Sequence, residues 1–208
     1  MQRFYFSSFN PTPALTIRED SFVHQISKVL RSKPGDQIVL FNGDGIEYIY
    51  EMTTIAKKEV TLTLNRTVPN SADIVRNIRL YQALPNRYEK IEYILQKGTE
   101  VGISEFTFFP SERSQKLVIN ERKIERFKEI VREALEQCGG NCIPKLVFQD
   151  SRESTPVADG MSIFLHTDGK RSMKLTDLGD LGRKDSINIF VGPEGGWSDT
   201  EVEIFRKQ

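Results

Sequence analysis

Cysteine, histidine and long apolar runs are scarce in this chain of 208 residues, and net charge is missing altogether. The two cysteines, Cys138 and Cys142, sit in "QCGGNC", and His24 and His166 are the only histidines. A closed zinc site takes four ligands, so no metal centre is expected and the cysteines read as reduced thiols. No stretch reaches the length of a membrane span, and the polar opening "MQRFYFSSFNPTP" has no signal-peptide core. A cytoplasmic chain without a membrane partner is therefore expected. The 29 basic side chains are matched by 29 acidic ones, so any nucleic acid would be held by a local patch and not by a global field. Internal repeats and low-complexity tracts are also lacking.

What is present divides into two textures. Residues 1–70 are rich in strand signals: "RFYF", "ALTI", "DQIVLF", "EYIYEMTTI" and "EVTLTLNRTV", with the hairpin signal "NGDG" among them. One short helix is expected in "DSFVHQISKVLR", with Phe22, Ile26 and Val29 on its apolar side. Together these elements predict a small β-barrel. "PNSAD" (69–73) reads as a linker. Residues 73–208 then alternate short apolar strands with helices, as a mainly parallel α/β domain does. Helical spacing runs through Ile91, Ile94, Leu95 and Val101, and again from Ile124 to Cys138 before Gly139-Gly140.

The strand "INIFV" breaks into Gly192-Pro193-Glu194-Gly195-Gly196, and Ser198-Asp199-Thr200-Glu201 then restarts a helix as a capping box. Glycines after a buried parallel strand let main chain approach a ligand at the carboxyl end of a sheet. The pattern is neither G-x-G-x-x-G nor a P-loop. Pro193 removes a donor and Glu194 adds negative charge, both unfavourable for phosphate. The turn is thus either a site for a ligand other than a polyphosphate or a purely structural bend. The first reading requires a cavity beside residues 191–197.

"HQISKVLR…PGDQIVLFNGDG" (24–45), "LQKGTEVGI" (95–103), "SERS" (111–114), "EQCGGNCIP" (136–144) and "GPEGG" occur in that order along nearly the whole chain. Taken together they resemble the bacterial 16S ribosomal RNA uracil-N3 methyltransferases of the SPOUT class. The resemblance implies a PUA-like RNA-binding barrel, an α/β domain tied in a trefoil knot, a homodimer, and S-adenosyl-L-methionine as methyl donor. It implies a cofactor pocket made by Leu165, His166, Gly192, Pro193, Glu194, Gly195 and Gly196. Glu194 either holds the turn by accepting backbone N–H bonds, the preferred reading, or faces the sulfonium of the donor, and a side chain at Gly195 would enter the pocket.

On the substrate side, the partner implied is 16S ribosomal RNA or the small ribosomal subunit. The matched motifs offer Glu100 as a general base, Arg113 to act at the site by gripping the base or a phosphate, and Lys97 as a further RNA contact. Glu100 paired with Lys97 on one helix turn is the alternative reading. Arg3, His24, Lys28 and Arg31 form the candidate RNA-backbone patch of the barrel. Two departures from the family stand out. Gly140 occupies a position where the family commonly has arginine. The closing run L-G-x-[RK]-[IV]-L-R-x-E-T-A, which completes the knot and part of the donor pocket, does not occur before Gln208. A non-catalytic RNA-binding protein of the same fold is accordingly the alternative function, and a phosphate-binding nucleotide enzyme a third.

Overall fold

The computed structural model describes residues 1–74, 77–150, 160–167 and 186–207, and these form two units. Unit 1 comprises Met1–Asp73 with Leu135–Cys142; unit 2 comprises Ile74–Ala134 and Ile143–Gln208.

Unit 1 contains β1 (Gln2–Tyr5), β2 (Ala14–Ile17), α1 (Asp20–His24), β3 (Gln37–Phe41), β4 (Ile46–Ile55) and β5 (Val60–Pro69). The strands make one sheet in the order β1-β3-β4-β5-β2, parallel between β1 and β3 and antiparallel elsewhere. All five contribute to one apolar core with Phe22, Val23 and Ile26 of the helical segment. The "NGDG" turn joins β3 to β4: Asn42 Oδ1 accepts the Asp44 N–H and Asp44 Oδ1 accepts the Ile46 N–H. Gly43 and Gly45 there have φ of +95° and +83°, backbone that side chains with a Cβ avoid.

The helix differs from expectation in register. α1 widens into a π-helical turn over Gln25–Val29, closed by Leu30 N–H donating to Gln25 O at 2.8 Å. A π turn takes more residues per revolution than an α turn. Val29 is therefore carried outward, to 64% exposure, and Leu30 takes its place against the core.

The segment read as a linker is also pinned. Asn70 Oδ1 accepts the N–H groups of Ala72 and Asp73, and Asn70 Nδ2 donates to Gly139 O. Asn141, fully buried, accepts the Gly45 N–H and donates to Ile46 O, while its own N–H reaches Asp73. "GGNC" thus serves the fold of unit 1. Both cysteines are free, and burial, followed by the neighbouring Asp73, pushes the Cys142 thiol up, away from the reactive thiolate.

Unit 2 contains β6 (Ile78–Ala83), α2 (Tyr88–Glu100), β7 (Glu105–Phe109), α3 (Glu121–Cys138), β8 (Lys145–Phe148), β9 (Met161–Leu165), β10 (Ile187–Val191) and α4 (Asp199–Lys207). Its five strands are all parallel, in the order β8-β7-β6-β10-β9. Alternation along the strands feeds two cores, one per face. Phe106 and Phe108 join Ile91, Leu95, Phe127 and Val131, whereas Phe109 joins Tyr81, Phe190, Trp197 and Val202. β6, β7 and β8 step outward one way and β10 and β9 lie on the other side of β6. The order therefore reverses between β6 and β10, where open parallel sheets present a crevice at their carboxyl ends. The expected trefoil knot falls partly on residues 151–159 and 168–185, which lie outside the described residues. Among the described residues no helix is long and apolar enough to cross a membrane, and no cluster of three metal-ligating side chains occurs.

Candidate functional site

β10 delivers its carboxyl end into the glycine turn, which closes when the Gly196 N–H donates to Pro193 O at 2.9 Å. Gly196 has φ of +69°, so its lack of a Cβ is needed for the bend itself. The expected capping box then starts α4: Ser198 N–H donates to Glu201, and Glu201 N–H to Ser198 Oγ.

A cleft of about 280 Å³ lies beside this turn, between the ends of β9 and β10. Leu165, His166, Thr167, Gly192, Pro193, Glu194, Gly196 and Trp197 line it. Six of the seven residues singled out as the cofactor pocket are among them. Gly195 is not. An added Cβ there would stand 3.3 Å from Arg113 Cβ, so Gly195 makes room for Arg113, and a larger residue would press on that side chain. Arg113 in turn donates from Nη1 to Gly195 O at 3.2 Å, bracing the back of the turn.

Two residues that the motifs did not single out hold the cleft open. Trp197, 3% exposed, donates its indole N–H to Leu165 O at 3.0 Å and so ties the β9 end to the β10 end. Its ring packs against Phe109, Phe164 and Phe205. Gly192 lies under that ring, where a Cβ would come within 3.1–3.3 Å of the indole. Gln82, buried in β6, donates from Nε2 to Gly192 O at 3.2 Å. The signal for Trp197 was available, since it is the only tryptophan and directly follows the glycines. Nothing local marks Gln82.

Glu194 fills the structural role expected of it. Its Oε1 accepts the Asn86 N–H at 3.2 Å and a bond from Lys90 Nζ, joining the turn to the start of α2. Burial pushes its pKa up, but the Lys90 ammonium and the N–H bonds outweigh this and hold it below the ordinary carboxylate value. A lowered folded pKa means stability that is complete above the unfolded value and lost as pH falls through the folded one. We expect the α2–turn link to persist at neutral pH and to loosen only below the ordinary carboxylate range, as pH falls through the lowered value. Acid titration of Trp197 emission checks this: the low-pH transition should disappear in Glu194→Gln.

The remaining candidates are dispersed. Glu100 is bound by Lys97 Nζ at 2.7 and 2.9 Å, which is the alternative pairing and not a free base. Both lie toward the far end of α2; at 1.5 Å per residue Glu100 is about 15 Å along the helix from Lys90. The structure does not bring Glu100 to the cleft.

In unit 1, Arg3 is engaged by Glu47, by Gly140 O at 2.7 Å and by the Phe41 ring, and its side chain is 12% exposed. It is a structural cation and not an open phosphate contact. The bond it makes to Gly140 puts this departure from the family inside the packing of unit 1, where a Cβ would stand 2.8 Å from Leu135. His24 and Lys28 are exposed on α1 and its π turn; Arg31, also exposed, follows with φ of +52° and leaves the helical stripe.

The cleft's chemistry is definite. Among the described lining residues there is no lysine or arginine, and the acid is ionised at neutral pH. Phosphate would find no uncommitted cation among these lining residues, since Lys90 is held by Glu194, whereas an organic molecule with an apolar part would find Leu165, Pro193, Trp197 and main-chain polar groups.

Comparison with known proteins agrees with this geometry. Residues 73–208 match the family model of the RNA methyltransferase domain, and residues 26–65 that of the RNA methyltransferase PUA domain. The chain is 29% identical to ribosomal RNA small subunit methyltransferase E of Bacillus subtilis, over 95% of this chain and 80% of that protein. It is 29% identical to the Helicobacter pylori protein of the same name, over 99% and 88%. A ribosomal RNA small subunit methyltransferase E from Neisseria gonorrhoeae, solved bound to S-adenosyl methionine, superposes with a TM-score of 0.78 at 27% identity, covering 100% of this chain and 85% of that one. A PUA-like sheet domain and a parallel α/β domain with its glycine turn at the sheet's reversal point, matched over nearly the full chain, make this protein a member of the RNA methyltransferase family.

Proposed function

We propose that this protein methylates N3 of a uridine in 16S ribosomal RNA, using S-adenosyl-L-methionine, in the cytoplasm and as a homodimer. Residues 73–208 carry the reaction and residues 1–70 contribute RNA binding. The observation that carries this reading is the cleft between the ends of β9 and β10, framed by main chain and free of lysine and arginine among the described residues. The named relatives and the S-adenosyl methionine complex of the gonococcal protein support it.

The residues present fit the donor. Leu165, His166, Gly192, Pro193, Glu194, Gly196 and Trp197 would hold it, chiefly through main-chain groups and apolar walls. When bound, S-adenosylmethionine supplies an electrophilic methyl group on a positively charged sulfur. The protein's own contribution is positioning. Trp197 and Gln82 fix the two loop ends by hydrogen bonds, so the cleft needs little rearrangement on binding. A uracil N3 carries a proton at neutral pH, and its loss puts negative charge on the ring. Arg113 engages Gly195 O through one nitrogen, leaving the rest of its guanidinium without a partner among the described residues. Arg113 braces the turn from behind and acts by positioning it, while the N3 proton passes to water.

Incubation with methyl-labelled S-adenosylmethionine and unmodified small-subunit RNA tests the proposal. Label at N3 of a uridine is expected. S-adenosylhomocysteine binding with no transfer to RNA or to assembled subunits would reduce the protein to an RNA-binding module. Failure to bind S-adenosylhomocysteine would remove the cofactor assignment itself.

A further inference from the structure

The glycine turn has two sides. Its β9 side faces the cleft just described; its β6 side faces the start of α2, to which Glu194 is tied through Asn86 and Lys90. Beyond that tie lies a second groove, of about 480 Å³, lined by Arg87, Glu89, Lys90, Tyr93 and Ile94. Its lining comes from the first turns of α2, and Lys90 is shared between the groove and the tie to Glu194.

Its chemistry is unlike that of the first cleft. Tyr93, 64% exposed, leaves its ring accessible in the groove. Exposed Arg87 has no ion-pair partner among the described residues. An aromatic face beside a free guanidinium suits an unstacked base and its phosphate, the combination by which single-stranded RNA is held. A base methylated within folded RNA must leave its stack, and needs a surface to receive it next to the donor.

We propose that this groove is the receiving site for the extruded nucleotide and its neighbour in the RNA, with Tyr93 stacking on a base and Arg87 engaging the backbone. The Lys90–Glu194 pair is then the wall shared by RNA and donor. This rests on the methyltransferase reading above and assigns it a substrate subsite.

Tyr93→Ala and Arg87→Ala, both at solvent-facing positions, test it in the full-length protein. Each should raise KM for small-subunit RNA about tenfold, the order of one lost stacking or charged contact. S-adenosylhomocysteine affinity by calorimetry should stay unchanged, and Tyr93→Phe should restore the parent KM. Unchanged KM in both alanine variants would overturn the assignment. So would conversion to a smaller species in sedimentation, which would make the groove a face between protein copies. Parent protein that binds no S-adenosylhomocysteine would mark failure of the methyltransferase reading and not of this site.

Discussion

Trp197→Ala is expected to abolish measurable S-adenosylhomocysteine binding and to lower the melting temperature by about ten degrees. The indole does two jobs at once. It fills the core formed with Phe109, Phe164, Phe190 and Phe205, and truncating a buried aromatic of this size costs about 4 kcal/mol. For a chain of this length that corresponds to a shift of about ten degrees. The indole also supplies the one described hydrogen bond between Trp197 and Leu165, so without it the two loop ends framing the cleft are no longer tied. Trp197→Phe separates the roles. It keeps most of the packing but leaves the Leu165 carbonyl to water, a loss of about 1 kcal/mol at a half-open position. Donor affinity should then fall about fivefold while melting changes little. Because Trp197 is the only tryptophan and lines the cleft, quenching of its emission on donor addition measures the parent's affinity directly. Equal affinity in parent, Phe and Ala variants would sink the positioning role.

Gly98→Val is the second large effect, and it acts on stability. Gly98 lies in α2, where a helix ordinarily favours any residue with a Cβ over glycine by up to about 1 kcal/mol. Here an added Cβ would come within 2.4–2.5 Å of the fully buried Phe106 ring and 3.4 Å of Ile103. Phe106 is enclosed by the core of α2 and α3 and cannot swing away, so overpacking decides the sign. A net loss of about 3 kcal/mol is expected, read as a lower urea midpoint at unchanged slope. Pairing Gly98→Val with Phe106→Leu should recover part of it, since the smaller residue vacates the space the valine needs. A double variant no more stable than the sum of the single losses would show that the ring contact is not the cause.

These two positions also show what the sequence could convey. Strand locations in both units follow from apolar alternation and turn chemistry, and the "NGDG" turn and the Ser198–Glu201 capping box form as their residue types require. The cleft beside residues 191–197 follows from one local fact, glycines after a buried parallel strand. Facts that depend on distant partners were not legible. Gly98 reads as a helix weakness until Phe106 is seen beneath it. Gly195 reads as a ligand contact until Arg113 is found against it. Arg3 reads as an RNA contact because nothing near it in the chain announces Glu47 or the Gly140 carbonyl. Val29 fails for another reason: a periodicity argument assumes α geometry, and a π turn shifts the phase from that point onward. Glu100 sits in a recognised motif, but motif membership carries no information about distance along α2.

Strand order also has a consequence for synthesis. β6 pairs with β7, made soon after it, but its other edge waits for β10, about a hundred residues later. At the usual ribosomal pace of roughly 5–20 residues per second, that edge stays open for about 5–20 seconds on every nascent chain. An unpaired parallel edge bearing Leu80 and Tyr81 is a template for mispairing, so crowded translation at elevated temperature should trap chains here first, before a donor-binding cleft has formed to rescue them.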